Sequence, residues 1–132
     1  MNHGRHIKVL GRGDPALLGS VDVVLAMLQE VVHDVGMRPL GAPIAYDVPL
    51  EVEKLGGEVF EDEGGVTGVI VLSTSHCAIH TWPLRSWFVA DLFSCRDFDP
   101  GAVTARMRER LGARALKVTD LSFSLAYDEQ PP

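Results

Sequence analysis

The chain has 132 residues, 46% of them hydrophobic, and a net charge of −6, values that suit a single domain with a real core. The negative charge disfavours binding to nucleic acid, because phosphate contacts need clustered Lys and Arg. No apolar run reaches the ~20 residues of a membrane span, and the N-terminus lacks the apolar segment of a signal peptide, so we expect a cytoplasmic protein that does not bind membranes.

The first element is a predicted strand at residues 6–10, where polar and apolar residues alternate weakly before a glycine-rich turn. A helix follows. It begins either at Asp14-Pro15 or at Ser20, since both offer an N-cap. Apolar residues then recur at helical spacing as far as Gly36, which is the natural stop.

The next part of the chain is rich in residues that interrupt secondary structure. Residues 37–46 contain two prolines, so a strand there is short or lies at a sheet edge. Residues 47–65 carry a further proline, two glycine pairs and an acidic triplet. They predict the longest loop of the protein, with one embedded β piece at residues 58–60.

Three strands are predicted in the middle of the chain, at residues 66–72, 77–82 and 87–93. The first is β-branched and nearly continuous in apolar residues, as a buried strand should be. Because short connections join the three strands, we expect an antiparallel meander.

The last third of the chain predicts a helix and a strand. Asp99-Pro100 gives an N-cap followed by proline, and Gly112 ends the helix. Residues 115–126 partly alternate and predict the last strand, and the polar tail at 127–132 is expected to fray. This order suits a two-layer α/β (α+β) sandwich, a mainly antiparallel sheet with two helices on one face. If the other face is apolar it needs cover, which favours a dimer that stacks sheet on sheet.

Reactive side chains concentrate at residues 72–83, where four hydroxyls, two imidazoles, a thiol and an indole occur in one short run. A metal site is disfavoured there. A site would have to use His76, His80, Cys77 and Cys95. On a strand, the two histidines share one face while Cys77 points to the other, so these side chains would chelate a metal poorly. We therefore predict no metal.

A serine hydrolase is also disfavoured, because Ser75 has neither a G-x-S-x-G frame nor a following helix. Taken one at a time, most residues of the run suit a structural interpretation, in which residues 73–75 form a hairpin turn and the histidines pack or face solvent. Two cysteines are too few for a disulfide framework, so Cys77 and Cys95 are predicted to be thiols.

The pattern as a whole carries more information than its parts. Ser-His-x-x-Ile-His-Thr-Trp-Pro at residues 75–83, with Cys95 twenty residues after Ser75, closely resembles the processing site of bacterial and archaeal S-adenosylmethionine decarboxylase proenzymes. These are pyruvoyl-dependent enzymes of polyamine synthesis. The likeness continues in Gly-Arg-His at 4–6, Gly-Val-Thr-Gly-Val at 65–69 and Asp-Leu-Phe-Ser-Cys at 91–95, and so covers most of the chain.

The resemblance implies that residues 1–132 form one pyruvoyl-decarboxylase-like domain that cuts itself between Thr74 and Ser75, into fragments 1–74 and 75–132. In the family, the serine hydroxyl attacks the preceding carbonyl, and elimination leaves a dehydroalanine that hydrolyses to a pyruvoyl group. That group would be the cofactor. It forms a Schiff base with the substrate amine and is the electron sink for loss of the α-carboxylate of S-adenosylmethionine. The family's paired protomers also favour a homodimer.

The same resemblance implies catalytic roles for three further residues. His80 matches the histidine that assists processing as acid and base. Thr67 stands where the family usually carries a serine with a hydroxyl role in processing. Cys95 matches the cysteine proposed to return a proton to the product, whereas Cys77 has no counterpart and is expected to pack.

The resemblance places substrate-binding positions at Phe60, Trp82 and Leu84. Two residues depart from the usual motif. Thr74 replaces the glutamate before the processing serine, and Leu84 replaces a glutamate that receives the ribose hydroxyls of S-adenosylmethionine. Losing that charge-assisted bond would weaken recognition by ~1.5–3 kcal/mol. Phe60, the stacking aromatic, also falls one position early.

Three interpretations therefore stay open. The family itself favours S-adenosylmethionine as the substrate. Leu84, together with the acidic triplet at residues 61–63, would suit a basic amino acid, arginine or ornithine, decarboxylated by the same machinery. Thr74 leaves room for an unprocessed homologue that binds or regulates an active enzyme without catalysis.

Overall fold

A computed structural model describes the backbone of residues 3–55 and 58–124 and the side chains of residues 4–51 and 62–124. Over these residues the chain forms a two-layer α+β sandwich, a seven-stranded antiparallel sheet with three helices on one face. The predicted fold class is confirmed, with one short helix more than expected.

The elements follow the predicted order along the chain. They are β1 (His3–Arg12), α1 (Pro15–Leu18), α2 (Val21–Asp34), β2 (Ile44–Leu55), β3 (Glu58–Leu72), β4 (Ser75–Trp82), β5 (Trp87–Ser94), α3 (Pro100–Leu111), β6 (Arg114–Asp120) and β7 (Phe123–Ser124). A single 3-10 turn, Pro83–Arg85, joins β4 to β5. The sheet order is β2-β3-β4-β5-β1-β6, with β7 paired to β1. The predicted meander is confirmed as β3-β4-β5, and β1 inserts between β5 and β6.

Both candidate helix starts are used, which explains the additional helix. Asp14 caps α1 by accepting a hydrogen bond from the Ala16 N–H, and Ser20 caps α2 by accepting one from the Val23 N–H. Gly36 follows α2 with a positive φ of 69°, as expected for the residue after a helix end.

The second half of the chain agrees with the sequence except at its end. α3 runs from its Asp99 cap to Gly112, which is left-handed with a φ of 60°. The last strand is shorter than predicted. β6 ends at Asp120, whose carboxylate accepts a hydrogen bond from the Ser122 N–H and turns the chain before β7. Residues 125–132 lie outside the described residues.

The prediction of a long loop at residues 47–65 is wrong. β2 and β3 form a hairpin that pairs residues 44–55 with residues 58–69 in one register, and β2 lies at the edge of the sheet. Pro49 faces Gly64, and the ladder omits this pair alone. An edge strand tolerates a proline because its outer side donates no ladder bond. The residues that indicated a loop therefore interrupt a strand without ending it.

The two faces of the sheet have different surroundings. One face packs under the helices, where apolar side chains of both layers form a single core: Ile7, Val9, Val24, Leu28, Ile70, Ile79, Phe88, Leu92, Val103 and Met107. Alternate strand positions point to the opposite face, which we call the open face because no element of the described chain covers it. It exposes large apolar side chains, including Ile44, Tyr46, Val71 and Phe123.

Charged residues tie α2 to α3. Arg106 lies 2.8 Å from Asp34 and 3.1 Å from Glu30, and Arg110 also binds Glu30. The hydrogen bond from Arg106 holds the pKa of Asp34 below its usual value, and the hydrogen bond from Arg110 does the same for Glu30. These pairs therefore stabilise the helix layer while the two carboxylates are ionised.

Candidate active site

The tight turn between β3 and β4 consists of Ser73 and Thr74. The Ser73 N–H donates to the Arg38 carbonyl at 2.9 Å, and the Thr74 hydroxyl donates to the Ser73 carbonyl at 2.8 Å. Thr74 has a φ of 50°, a left-handed conformation that a β-branched residue rarely adopts. The backbone is therefore strained, by roughly 1–3 kcal/mol, at the residue that precedes Ser75.

The side chain of Ser75 is fixed from the neighbouring strand. Its Oγ accepts a hydrogen bond from the Cys95 N–H at 3.0 Å, and the Cys95 thiol donates to the Ser73 carbonyl at 3.8 Å. Hydrogen bonds with Thr74, and next with Ser75, lower the pKa of the Cys95 thiol below its usual value. The structure thus brings together Thr74, Ser75 and Cys95, three residues selected from the sequence. With Ser73, we call them the turn cluster.

A cavity of about 200 Å³ opens beside the turn cluster, and Arg38 and Arg96 contribute to its wall. Guanidinium groups suit the carboxylate of an amino-acid substrate. The cluster also fits the formation of a pyruvoyl group from Ser75, since the hydroxyl, the strained residue before it and a thiol lie within hydrogen-bonding reach of one another.

Thr67 and His80 form a second group of predicted residues, which we call the threonine-histidine pair. They are partners across β3 and β4, with Thr67 Oγ1 lying 3.0 Å from His80 Nδ1. The His80 ring is 6.5 Å from the Trp82 ring. A cavity of about 170 Å³ adjoins the pair and has Asp62 in its wall. The imidazole of His80 is exposed and has a hydroxyl partner, an arrangement that suits a general acid or base.

The turn cluster and the threonine-histidine pair do not meet within one chain. Ser75 is the first residue of β4 and His80 the sixth. At the rise of a strand, five residues separate their Cα atoms by ~17 Å. The residues selected from the motif therefore form two separate groups near opposite ends of one strand.

The predicted substrate-binding residues have unequal surroundings. Trp82 is half-buried, and its ring lies 5.5 Å from the ring of Trp87 at an angle of 35°. Leu84 lies in the 3-10 turn and is 73% exposed. The Phe60 side chain lies outside the described residues.

The acidic triplet is less available to a substrate than its sequence suggested. Glu63 binds Arg85, with both carboxylate oxygens 2.9 Å from Nε. Asp62 accepts a hydrogen bond from the Gly64 N–H at 2.9 Å. The side chain of the remaining member, Glu61, lies outside the described residues. Two of the three carboxylates are therefore already engaged within the protein.

Sequence reasoning missed a cluster of titratable groups on the open face. One carboxylate, Asp91, bridges two imidazoles: His6 Nε2 lies 2.7 Å from one oxygen and His76 Nε2 lies 2.8 Å from the other. Burial raises the pKa of Asp91, but the hydrogen bonds with His76 and His6 outweigh it, and the net pKa is below its usual value. The available signal was a charged residue within an otherwise apolar strand.

Cys77 differs from Cys95 in every respect that controls reactivity. It is fully buried in the core, and burial together with the charge of Asp91 raises its pKa to about 12. Both cysteines are free thiols, as predicted.

Among the described residues, no group of three or more His, Cys, Asp or Glu side chains is placed to hold a metal ion. No described helix is long and apolar enough to cross a membrane.

Comparison with known proteins agrees with this architecture. The chain is similar in fold to the crystal structure of the adenosylmethionine decarboxylase from Aquifex aeolicus, with a TM-score of 0.68 over 90% of this chain and 88% of that one. Their sequences are 20% identical, so this likeness shows the fold alone.

Sequence comparison identifies the family to which the chain belongs. An S-adenosylmethionine decarboxylase proenzyme of Pseudomonas aeruginosa is 40% identical over 62 residues, which are 46% of this chain and 39% of that protein. The proenzyme of Carboxydothermus hydrogenoformans is 31% identical over 86 residues, 64% of this chain and 67% of that protein. The chain thus spans about two fifths of the Pseudomonas protein. The family model for S-adenosylmethionine decarboxylase matches residues 7–122. The chain belongs to the S-adenosylmethionine decarboxylase family.

Proposed function

We propose that the protein is a decarboxylase proenzyme that cuts itself between Thr74 and Ser75, uses a pyruvoyl group formed from residue 75, and acts on S-adenosylmethionine. The observation that carries this proposal is the turn cluster. Ser75 Oγ is held by the Cys95 N–H directly after a residue in a strained left-handed conformation. Family membership supports the substrate.

The cleavage chemistry follows from the turn. Ser75 Oγ attacks the Thr74 carbonyl carbon, the C–N bond breaks, and the proton of the hydroxyl passes to the released amine, which converts amide to ester. Loss of the Ser75 α-proton then expels the Thr74 carboxylate and leaves a dehydroalanine, which water hydrolyses to a pyruvoyl group and ammonia. Relief of strain at Thr74 favours the first step, because the ester no longer requires the left-handed turn.

A pyruvoyl ketone at residue 75 supplies an electron sink for loss of a carboxylate. The chain's own residues do the rest. Arg38 and Arg96 line the adjoining cavity and suit the substrate carboxylate. Cys95, with its lowered pKa and its place beside Ser75, suits return of a proton to the product.

The threonine-histidine pair completes the site if two chains combine. His80 is ~17 Å from Ser75 along β4, too far for proton transfer within one chain. A two-fold axis between two stacked open faces, across the middle of β4, would bring the end of β4 that begins at Ser75 next to the end that carries His80 in the partner subunit. The exposed apolar side chains of the open face, among them Ile44, Tyr46 and Val71, support such a homodimer.

Arginine or ornithine is the second candidate substrate. Leu84 favours it, since an exposed leucine cannot accept hydrogen bonds from a ribose. The engagement of Glu63 by Arg85 and of Asp62 by the Gly64 N–H argues against it, because fewer carboxylates remain to bind a basic side chain. We therefore place S-adenosylmethionine first.

Two measurements test the proposal. Denaturing mass spectrometry of the purified protein should show two fragments that meet at Thr74-Ser75. Ser75→Ala should remain whole, while the matched control Ser73→Ala should still be cut. An intact wild-type chain under all conditions would contradict the proposal and favour a non-catalytic homologue. Release of CO2 from S-adenosylmethionine, arginine and ornithine, measured side by side, then decides the substrate.

A further inference from the structure

The largest of the cavities described for this chain is away from the turn cluster, beside the register shift between β1 and β6. Its volume is about 440 Å³. The lining residues are Leu10, Gly11, Arg12, Arg85, Trp87 and Ala115. Neither half-site of the proposed active site, Ser75 with Cys95 or Thr67 with His80, contributes to it.

A local irregularity in the sheet produces this cavity. The register of β1 and β6 shifts between Leu10 and Arg12, and Ala115 takes a positive φ of 53°. Leu116 then turns inward over Gly11, where an added Cβ would lie 2.4 Å from Leu116 Cδ2. Because Leu116 turns inward and Ala115 is small, the space above them stays open.

Two arginines, Arg12 and Arg85, line this cavity and a third, Arg114, adjoins it on β6, although the chain as a whole is acidic. Arg12 is the register partner of Arg114 on β6, and like charges at opposed positions destabilise a strand pair. Among the described side chains, no carboxylate forms an ion pair with either guanidinium. Arg12 instead donates a long hydrogen bond of 3.5 Å to the Arg85 carbonyl. A bound anion would relieve the repulsion.

Arg85 and Trp87 give the cavity a fixed wall. Arg85 is anchored by Glu63, with Nη2 2.8 Å from a carboxylate oxygen, so its own charge is already balanced. Trp87 is half-buried, and its indole contacts that of Trp82 in a tilted arrangement, with centroids 5.5 Å apart and an angle of 35°. A flat apolar surface next to an unpaired arginine fork suits a ligand that has a planar ring and an anionic group.

We propose that this cavity binds a small organic anion whose carboxylate or phosphate is held by Arg12, with Arg114 beside it on β6, and whose ring lies on Trp87. The guanidinium fork accepts either anion in the same bidentate way. Binding does not require self-cleavage, since the turn cluster takes no part in it.

Isothermal titration of the purified full-length protein tests the proposal with three probes. AMP carries a phosphate and a ring, benzoate carries a carboxylate and a ring, and adenosine carries a ring without the charge. We expect saturable binding of AMP, benzoate or both, at least about tenfold tighter than adenosine. The tighter of the two identifies the anion that the site prefers.

Matched variants locate the binding. Arg12→Gln should weaken it by about tenfold or more, and Arg114→Gln, a second exposed site, provides the same test if the first variant folds poorly by circular dichroism. The control is Arg108→Gln, which removes one exposed positive charge from α3. The proposal is wrong if AMP and benzoate bind no tighter than adenosine, or if the cavity variants bind like the control.

Discussion

At its first residue, β4 adjoins a strained turn and a serine held by a backbone N–H, whereas five residues later it presents an exposed histidine bonded to a threonine. The turn stores energy in the backbone, but His80 is far from it along the strand, and the adjacent His76 is bonded to Asp91. The other end has the proton-transfer group but no strained bond to act on. In the proposed function each end supplies half of a self-cleaving site, and the open face between them is the surface through which two chains would combine the halves.

The largest expected effect is a loss of CO2 release on substitution of Cys95 but not of Cys77. Cys95→Ala should lower the rate of CO2 release by ~100-fold or more, because a positioned proton donor is lost. Self-cleavage should continue, since Ser75 is held by the backbone N–H of residue 95 and not by its thiol. The control Cys77→Ala removes a buried thiol and should keep the rate of CO2 release per folded protein. Equal losses in both variants would remove Cys95 from the mechanism.

The strain at the turn has its own test. Thr74→Gly removes the cost of the left-handed conformation, so self-cleavage should slow by roughly 5- to 100-fold if that strain drives the first step. Gel or mass analysis of the precursor over time measures this rate. Ser86, which has a φ of 55° at the other end of β4, supplies the control Ser86→Gly. An unchanged rate for Thr74→Gly would mean that strain plays no part.

Recognition of the substrate is tested at Leu84. Leu84→Glu restores an acceptor for ribose hydroxyls and should lower KM for S-adenosylmethionine by about ten- to a hundredfold. Leu40→Glu adds the same charge at another exposed leucine and should leave KM unchanged. If Leu84→Glu gives no gain while arginine or ornithine is decarboxylated, the second candidate substrate is correct.

The smallest expected effect is on the stability of the helix layer and its dependence on pH. The folded pKa values of Asp34 and Glu30 are depressed, so their stabilising contribution is present above the ordinary carboxyl pKa of about 4 and is lost as pH falls through the lower folded values. Arg106→Gln should therefore lower the free energy of unfolding at about pH 7 and lose this difference toward about pH 3. Urea unfolding measures it, and Arg108→Gln is the control. Self-cleavage should be unaffected in both.

The sequence predicts best those helices and strands that depend on residues close together in the chain. Caps at Asp14, Ser20 and Asp99 and the β-branched run of β3 predict their elements correctly, since each depends on neighbouring residues. The hairpin of β2 and β3 was missed because pairing across the edge of a sheet tolerates Pro49 and Gly64 opposite each other, which no local rule reveals.

The candidate site shows the same limit. The motif selects Ser75, Cys95 and His80 together, but only the folded strands show that Cys95 contacts Ser75 while His80 lies at a distance from it along β4. The bridge from Asp91 to His6 and His76 depends on β1 lying beside β5 and β5 beside β4. Such neighbours are set by the packing of the whole sheet, so a single sequence does not reveal them.

Co-expression of Ser75→Ala and His80→Ala chains with different tags tests most directly whether one site is built from two chains. Each variant alone should fail to cut itself at a normal rate. In the mixed dimer, Ser75 of the His80→Ala chain meets His80 of the partner subunit, so denaturing mass spectrometry should show that chain cut at Thr74-Ser75 while the Ser75→Ala chain stays whole. Both chains remaining whole in purified mixed dimers would contradict the account.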